Sequence, residues 1–274
     1  MILQVRQKLE ERRYSQSTIT VYTHCLRQYE AWLNGANPND QEKEDINAFL
    51  RAVAKNYSRS TQNQYVNAIK FYYEQIAGRP KSYYDIDRPR KEKKLPVVLS
   101  QDEAKHLIDR AYNIKHKAIV VLLYSCGMRV GELINLRIED IDSERMLISI
   151  RNAKGFKDRT VPLHPSTLQL LRTYFKKFKP RDFLFNGQDG IQYTATSVRA
   201  LIRRSSESAG IHKKVTPHTL RHSYATHLLE SGVDLRIIQT ILGHSSVKTT
   251  EIYTHVSKKQ ITSVYNPLDD ISIT

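Results

Sequence analysis

Two side chains three residues apart, His218 and Arg221 in TPHTLRHSYATHLLESG, have the types and spacing to work on a phosphate. Thr216 suits the N-cap of a helix, Pro217 its first position and Gly232 its stop. At that spacing the imidazole and the guanidinium share one face near the helix N-terminus. Free backbone N–H groups and the helix dipole favour an anion there. The guanidinium fork binds two phosphate oxygens while the imidazole moves a proton. His218 and His222 also have the i,i+4 spacing of metal ligands. The glutamate of HExxH is missing and no Cys/His partners follow, so zinc is not expected.

Further candidates lie on either side. In CGMRVGELINL, Arg129 opens a short helix and Glu132 follows three residues later. An arginine there would ordinarily snorkel to solvent. Held by Glu132, it becomes a rigid, inward phosphate ligand. Lys154 sits on the turn of NAKGFK, where a lysine is either simply solvated or a mobile cation for chemistry. In GHSSVKTTEIYTHV, His244 follows a Leu-Gly turn and Tyr253 comes nine residues later, one of 16 tyrosines. A tyrosine on a short amphipathic helix is, taken alone, a half-buried core residue.

The elements that must position these groups are mostly helices. Residues 1–79 read as an all-helical module: a short first helix, one capped at Ser15 or Ser17 and running to about Leu33, one over DQEKEDINAFLRAVAKN, and one from a Ser/Thr cap to Gly78. The segment PKSYYDIDRPRKEKKLP that follows holds three prolines and a basic cluster that includes Arg88 and Arg90. It reads equally as a solvated linker and as a strap laid over a phosphate backbone. From Ser100 a capping box with Glu103 opens a second domain. KHKAIVVLLYSCG is a buried helix closed by Gly127, and MLISIRNAKGFKDRTVPL alternates as a β-hairpin with Lys154 and Gly155 at its tip. The expected fold is mainly α with a small antiparallel sheet in the C-terminal domain, and we find no internal repeat.

Composition narrows the class. The chain has 274 residues, with 43 Lys+Arg against 28 Asp+Glu, a net charge of +15. That excess favours a polyanionic partner, and nucleic acid before membrane, because no basic amphipathic anchor appears. The longest apolar run, AIVVLLY, is far below the roughly 18 to 20 residues that span a bilayer. The N-terminal stretch MILQVRQKLEERR has no apolar signal region, and two separated cysteines, Cys25 and Cys126, read as reduced buried thiols. A cytoplasmic protein is expected.

Taken together and in order, GMRVGELINL, NAKGFKDRTVPL, TPHTLRHSYATHLLESG and IIQTILGHSSVKTTEIYTHV closely resemble the tyrosine site-specific recombinases, also called the phage integrase family. The resemblance runs from about Lys94 to the C-terminus and is nearest to Xer-like and integron-type bacterial members. It implies a two-domain architecture: residues 1–79 a helical, SAM-like core-binding domain, 80–96 a basic linker and 97–274 the catalytic domain. It implies that Tyr253 attacks a DNA phosphodiester to give a 3′-phosphotyrosyl bond and a free 5′-hydroxyl. Arg129 and Arg221 would clamp the non-bridging oxygens, Lys154 would protonate the leaving 5′-oxygen, His218 would serve as general base and His244 would orient the phosphate. Glu132 would support Arg129. No metal or nucleotide cofactor is implied, and no Walker motif is present. The implied partners are double-stranded DNA carrying a specific site, a tetramer of the protein on two such sites and, where the system uses one, a partner recombinase or accessory protein. Arg59, Lys70, Arg88 and Arg90 are the candidates for further DNA contacts. A type IB topoisomerase-like enzyme shares this chemistry without strand exchange, and an accessory DNA-binding protein on a degenerate fold is the non-enzymatic alternative. The full catalytic set argues against the latter.

Overall fold

The computed structural model describes residues 1–80, 95–151, 158–187, 190–244, 246 and 249–254. It divides into two compact units, Met1–Lys93 and Lys94–Thr274, and the division falls within the basic segment at 80–96.

The first unit contains α1 (Ile2–Glu11), α2 (Gln16–Trp32), α3 (Lys43–Asn56) and α4 (Arg59–Gln75). Serines set two of the starts. Ser15 Oγ accepts from the Thr18 N–H and Ser58 Oγ from that of Thr61, each satisfying a backbone donor that the first turn leaves free. Ile19, Leu26, Tyr29 and Leu33 recur at helical spacing along α2 and its C-cap, and share a core with Val66, Ile69 and Tyr73 of α4 and Phe49 and Leu50 of α3. The buried phenols are satisfied in series: the Tyr29 and Tyr73 hydroxyls lie 2.9 Å apart, and Tyr73 donates to the Pro38 carbonyl at 2.7 Å.

The second unit begins with α5 (Gln101–Asp109), whose capping box forms as expected: the Glu103 N–H donates to Ser100 Oγ and the Ser100 N–H to Glu103 Oε2. α6 (Ile114–Ser125) packs against α5 and against the later helices α8 (Pro165–Phe178), α9 (Ala195–Ser208) and α10 (Pro217–Glu230). Surrounded in this way, it buries Ala118, Ile119, Val120, Leu122 and Leu123. Between α6 and α8 come α7 (Val130–Ile134) and three short strands, β1 (Ile141–Asp142), β2 (Leu147–Ile150) and β3 (Arg159–Pro162). The sheet is antiparallel in the order β1-β2-β3. The expected hairpin strands are therefore present and gain a third strand, too short at two residues to show any alternation. The hairpin tip, with Lys154 and Gly155, lies outside the described residues. α11 (Leu235–Leu242) and a 3-10 turn (Glu251–Tyr253) close the described fold.

Two glycines fix how the ends of helices approach one another. Gly127, just past α6, has φ +58°, and a Cβ there would stand 2.7 Å from the Tyr224 ring and 2.8 Å from Leu242. Gly243, just past α11, has φ +62°, and its Cβ would meet Arg159 Cδ at 2.9 Å. Both positions need a left-handed backbone and no side chain. Gly210 has φ +67° with nothing within 4 Å. Gly127→Ala should therefore cost about 2–4 kcal/mol, backbone strain plus overpacking. Gly210→Ala should cost only about 1–2 kcal/mol of strain. Denaturant melts of the two variants compare them directly, and equal losses would contradict the close packing at Gly127.

Candidate active site

α10 is the backbone of the site. Thr216 Oγ1 accepts from the Thr219 N–H, and Pro217 occupies the first turn where no N–H partner is needed. The helix is buried on most of its surface, and Arg221 goes in with it at 2% exposure. Its guanidinium is matched to the carbonyl-rich ends of two other helices. Nη1 donates to the Gly127 carbonyl after α6 at 2.6 Å and Nη2 to the Leu242 carbonyl at the end of α11 at 2.5 Å. Those carbonyls lack intrahelical donors and carry the negative end of the helix dipole. Burial, and then the neighbouring Arg129, lower the Arg221 pKa to about 10, so it stays charged at neutral pH.

Arg129 is the N-cap of α7 and is held at three points. Its backbone N–H donates to Glu132 Oε2 at 2.7 Å, its Nη1 to Glu132 Oε1 at 2.7 Å and its Nη2 to the Gly243 carbonyl at 3.2 Å. Its side chain keeps 24% exposure, against 7% for Glu132, so the fork is fixed while remaining open to a ligand.

Glu132 has a second and stronger partner that sequence reading passed over. Arg159 of β3 grips it bidentately, Nη1 to Oε1 and Nη2 to Oε2, both at 2.8 Å, while its Nε donates to the Ile241 carbonyl at 2.8 Å. Burial alone would raise the Glu132 pKa. The hydrogen bonds and charge of Arg159, followed by the hydrogen bonds of Arg129, outweigh it and bring it down to about 2. A signal for Arg159 was available. In RTVPL it shares a strand face with Val161, which is buried, and it pairs across the ladder with buried Ile150. A charged residue in the inward register of a strand breaks the pattern and asks for a buried partner.

Tyr253 is wholly buried at 0% exposure, packed in a cluster with Ala225, Leu229, Ile238 and Leu242. Its hydroxyl shares a 3.1 Å hydrogen bond with His222 Nδ1. The His244 ring lies nearly parallel to the tyrosine ring at 6.3 Å, and His244 Nδ1 bonds the buried Thr250 hydroxyl at 3.0 Å. Burial raises the Tyr253 pKa, and Arg221 and Arg129 oppose that rise. Burial also brings His222 and His244 down to about 4, helped at His222 by His218 and Arg221 and at His244 by Arg221 and Arg129. His218 is shifted down by burial and then by the arginines. At rest the three imidazoles are therefore neutral and the phenol is protonated.

His218 lines a cleft of about 860 Å³ together with Arg129, Glu132, Ile150 and Arg151, the last two at the end of β2. The structure thus brings Arg129, Glu132 and Arg221 together around the ends of α6 and α11, and puts His218 beside Arg129 in the cleft. His244 and Tyr253 stack nearby. The expected contact between His218 and the phenol is not formed; His222, one turn along, holds that place. Lys154, Arg88 and Arg90 lie outside the described residues. Arg59 is exposed at the start of α4, and Lys70 lies 3.8 Å from Glu74 on the next turn. Arg129 and Arg159 bind the carboxylate of Glu132 while Arg221 binds two backbone carbonyls, a local excess of positive charge that favours an anion. Among the described residues no group of three or more His, Cys, Asp or Glu could hold a metal ion, and no helix is long and apolar enough to cross a membrane.

Removing Arg159 leaves Glu132 buried with one guanidinium instead of two. Arg159→Met should cost about 3 kcal/mol in a denaturant melt, and a loss below about 0.5 kcal/mol would show that the pair is not a stabilising contact. The histidines give a pH signature. His222 and His244 titrate near 4 when folded against an ordinary 6.5, so the unfolded chain binds more protons in between. Stability should then fall as pH drops from about 6.5 towards 4. Thermal melts at pH 7 and pH 5 should show a lower Tm at pH 5, with a smaller drop for the His222→Asn/His244→Asn double variant. An equal drop in both proteins would contradict the buried, neutral imidazoles.

Residues 97–260 match the model of the Phage integrase family, and residues 1–82 that of the phage integrase N-terminal SAM-like domain. The chain is 37% identical over 254 residues to the tyrosine recombinase XerA of Pyrococcus horikoshii, covering 90% of this chain and 86% of that protein. A crystal structure of XerA recombinase superimposes with a TM-score of 0.59 at 35% identity, covering 96% of each chain. A XerH site-specific recombinase bound to its difH substrate in a post-cleavage complex shares the fold at a TM-score of 0.75, with 24% identity over 93% of this chain and 82% of that one. On the family match and the XerA relationship together, the chain belongs to the phage integrase family, the tyrosine recombinases.

Proposed function

We propose that this tyrosine recombinase cuts and rejoins duplex DNA at a specific site through Tyr253, exchanging strands between two sites by way of a Holliday junction. The observation that carries this reading is the placement of Arg129, pinned by Glu132, and buried Arg221 around the same helix ends, within electrostatic reach of one phenol. Two guanidinium forks suit the non-bridging oxygens of a phosphodiester, whose charge grows as phosphorus becomes five-coordinate.

The Tyr253 oxygen bonds to phosphorus as the bond from phosphorus to the 5′-oxygen breaks. The phenol proton passes to an imidazole, His218 in this reading, and Lys154 protonates the departing 5′-oxygen. The product is a 3′-phosphotyrosyl ester and a free 5′-hydroxyl. One phosphoester is exchanged for another, so the reverse attack by a 5′-hydroxyl reseals DNA without a nucleotide. His244 orients the phosphate. Residues 1–79 serve as the core-binding domain, 80–96 as a basic linker and 97–274 as the catalytic domain, with Arg59, Lys70, Arg88 and Arg90 adding contacts to the DNA backbone. Recombination requires four protomers on two sites, in the cytoplasm, with a partner recombinase or accessory protein where the system uses one.

A nicked duplex carrying the recombination site should trap a covalent protein–DNA adduct with the wild type and none with Tyr253→Phe. An adduct with the phenylalanine variant would remove Tyr253 as the nucleophile. A plasmid with paired sites should give exchanged product, whereas relaxation without exchange would favour a topoisomerase. DNA affinity should fall by about 10³ or more between 50 and 200 mM salt if six or more phosphates are neutralised.

A further inference from the structure

In this structure the phenolic oxygen of Tyr253 is not where an attack can begin. The residue has no exposed surface, and in-line attack needs the reacting atoms within about 3–3.5 Å of each other. No phosphate reaches it there, so Tyr253 must leave its seat to react. The ring is held by packing in the cluster with Ala225, Leu229, Ile238 and Leu242, which is unspecific about the hydroxyl. The hydroxyl itself is held by His222 at 3.1 Å.

His222 lies four residues after His218 on α10, with the two rings 6.3 Å apart and tilted by 31°. One helical turn, about 5.4 Å, thus separates two imidazoles with different surroundings. His218 lines the cleft beside Arg129, and neither His222 nor Tyr253 is among the residues that line it. The two positions differ in access to a phosphate but offer the hydroxyl the same chemical partner.

We propose that His222 is a positioning residue that parks the Tyr253 hydroxyl in a withdrawn resting place, one turn of α10 away from the imidazole that serves it during cleavage. The exchange of one imidazole for another keeps the hydroxyl bonded at both ends of the movement, so the free-energy difference between the two positions stays small. Any DNA contact that favours the forward position then shifts the population, without a separate cost for an unsatisfied phenol. The proposal rests on Tyr253 being the nucleophile.

Two readouts test it. In the free protein, nitration of Tyr253 by tetranitromethane, followed by mass spectrometry of the peptide 249–258, reports how often the ring leaves its seat. On the nicked duplex, single-turnover adduct formation at saturating protein reports delivery to phosphate. His222→Leu removes the hydrogen bond, and His222→Asn keeps a polar atom close to the Nδ1 position. The leucine variant should nitrate Tyr253 about two- to tenfold faster, the worth of one net hydrogen bond, and form adduct at least as fast as the wild type. The asparagine variant should return both rates towards wild type. Unchanged nitration in His222→Leu would overturn the proposal. So would a fall in adduct formation of about a hundredfold or more, the signature of a lost general base. Buried Tyr174 of the same unit is the control for unfolding. If its nitration rises too, His222→Phe, which keeps a ring, is measured against the same criteria. If wild type forms no adduct, the recombinase reading fails, while the nitration rates still decide whether His222 holds the tyrosine.

Discussion

A buried carboxylate, Glu132, is the contact on which the rest of the site depends. It binds Arg129 of the α7 cap and Arg159 of β3, and Arg159 in turn reaches the Ile241 carbonyl of α11. Three elements distant in sequence are thereby fixed to one small anion. Burying such charges costs several kcal/mol per ion unless each is paired and fully hydrogen-bonded, and here both oxygens and both forks are used. The arrangement gives Arg129 its special condition, a guanidinium that is rigid yet partly open. Gly127 and Gly243 complete it, because only bare backbone lets the ends of α6 and α11 come close enough to receive Arg221 and Arg129 through their carbonyls.

Glu132 is committed to Arg129 and Arg159, while Arg221 is bound by the backbone carbonyls of Gly127 and Leu242. Burial, more than the charge of these arginines, sets the titratable groups, and at the Tyr253 phenol the arginines act against it. His222 and His244 stay neutral far below their ordinary range, His218 is shifted the same way, and the Tyr253 phenol stays protonated. In the proposed reaction a bound phosphodiester would add negative charge and, by Coulomb interaction, raise the proton affinity of the neighbouring imidazoles. On that reading the chemistry is weakly poised without DNA and better poised with it, and the proposed withdrawn seat of Tyr253 acts in the same direction.

Much of this was legible in the sequence, for identifiable reasons. Helix starts such as Ser15, Ser100 and Thr216 are local, and a cap is written within four residues. Arg129 with Glu132, and His218 with Arg221, stand three apart on one helix turn, so their proximity follows from spacing alone. Arg159 was harder, because its partner lies 27 residues away and the strand that carries it is four residues long. Only its inward register, opposite Ile150, marks it. β1 had no pattern to read at two residues. The link between His222 and Tyr253 spans 31 residues and depends on how a 3-10 turn folds back on α10, which neither stretch encodes locally. His222 caught attention for its spacing from His218, but as a possible metal ligand, since spacing shows a shared face without showing what covers it.

The most direct test of the central claim is the site of covalent attachment. Wild-type protein trapped on a nicked duplex, digested with trypsin and nuclease, should yield the peptide TTEIYTHVSK, residues 249–258, carrying a nucleotide through its 3′-phosphate on Tyr253. A nucleotide on any of the other tyrosines, on a serine, or joined through a 5′-phosphate would contradict the account.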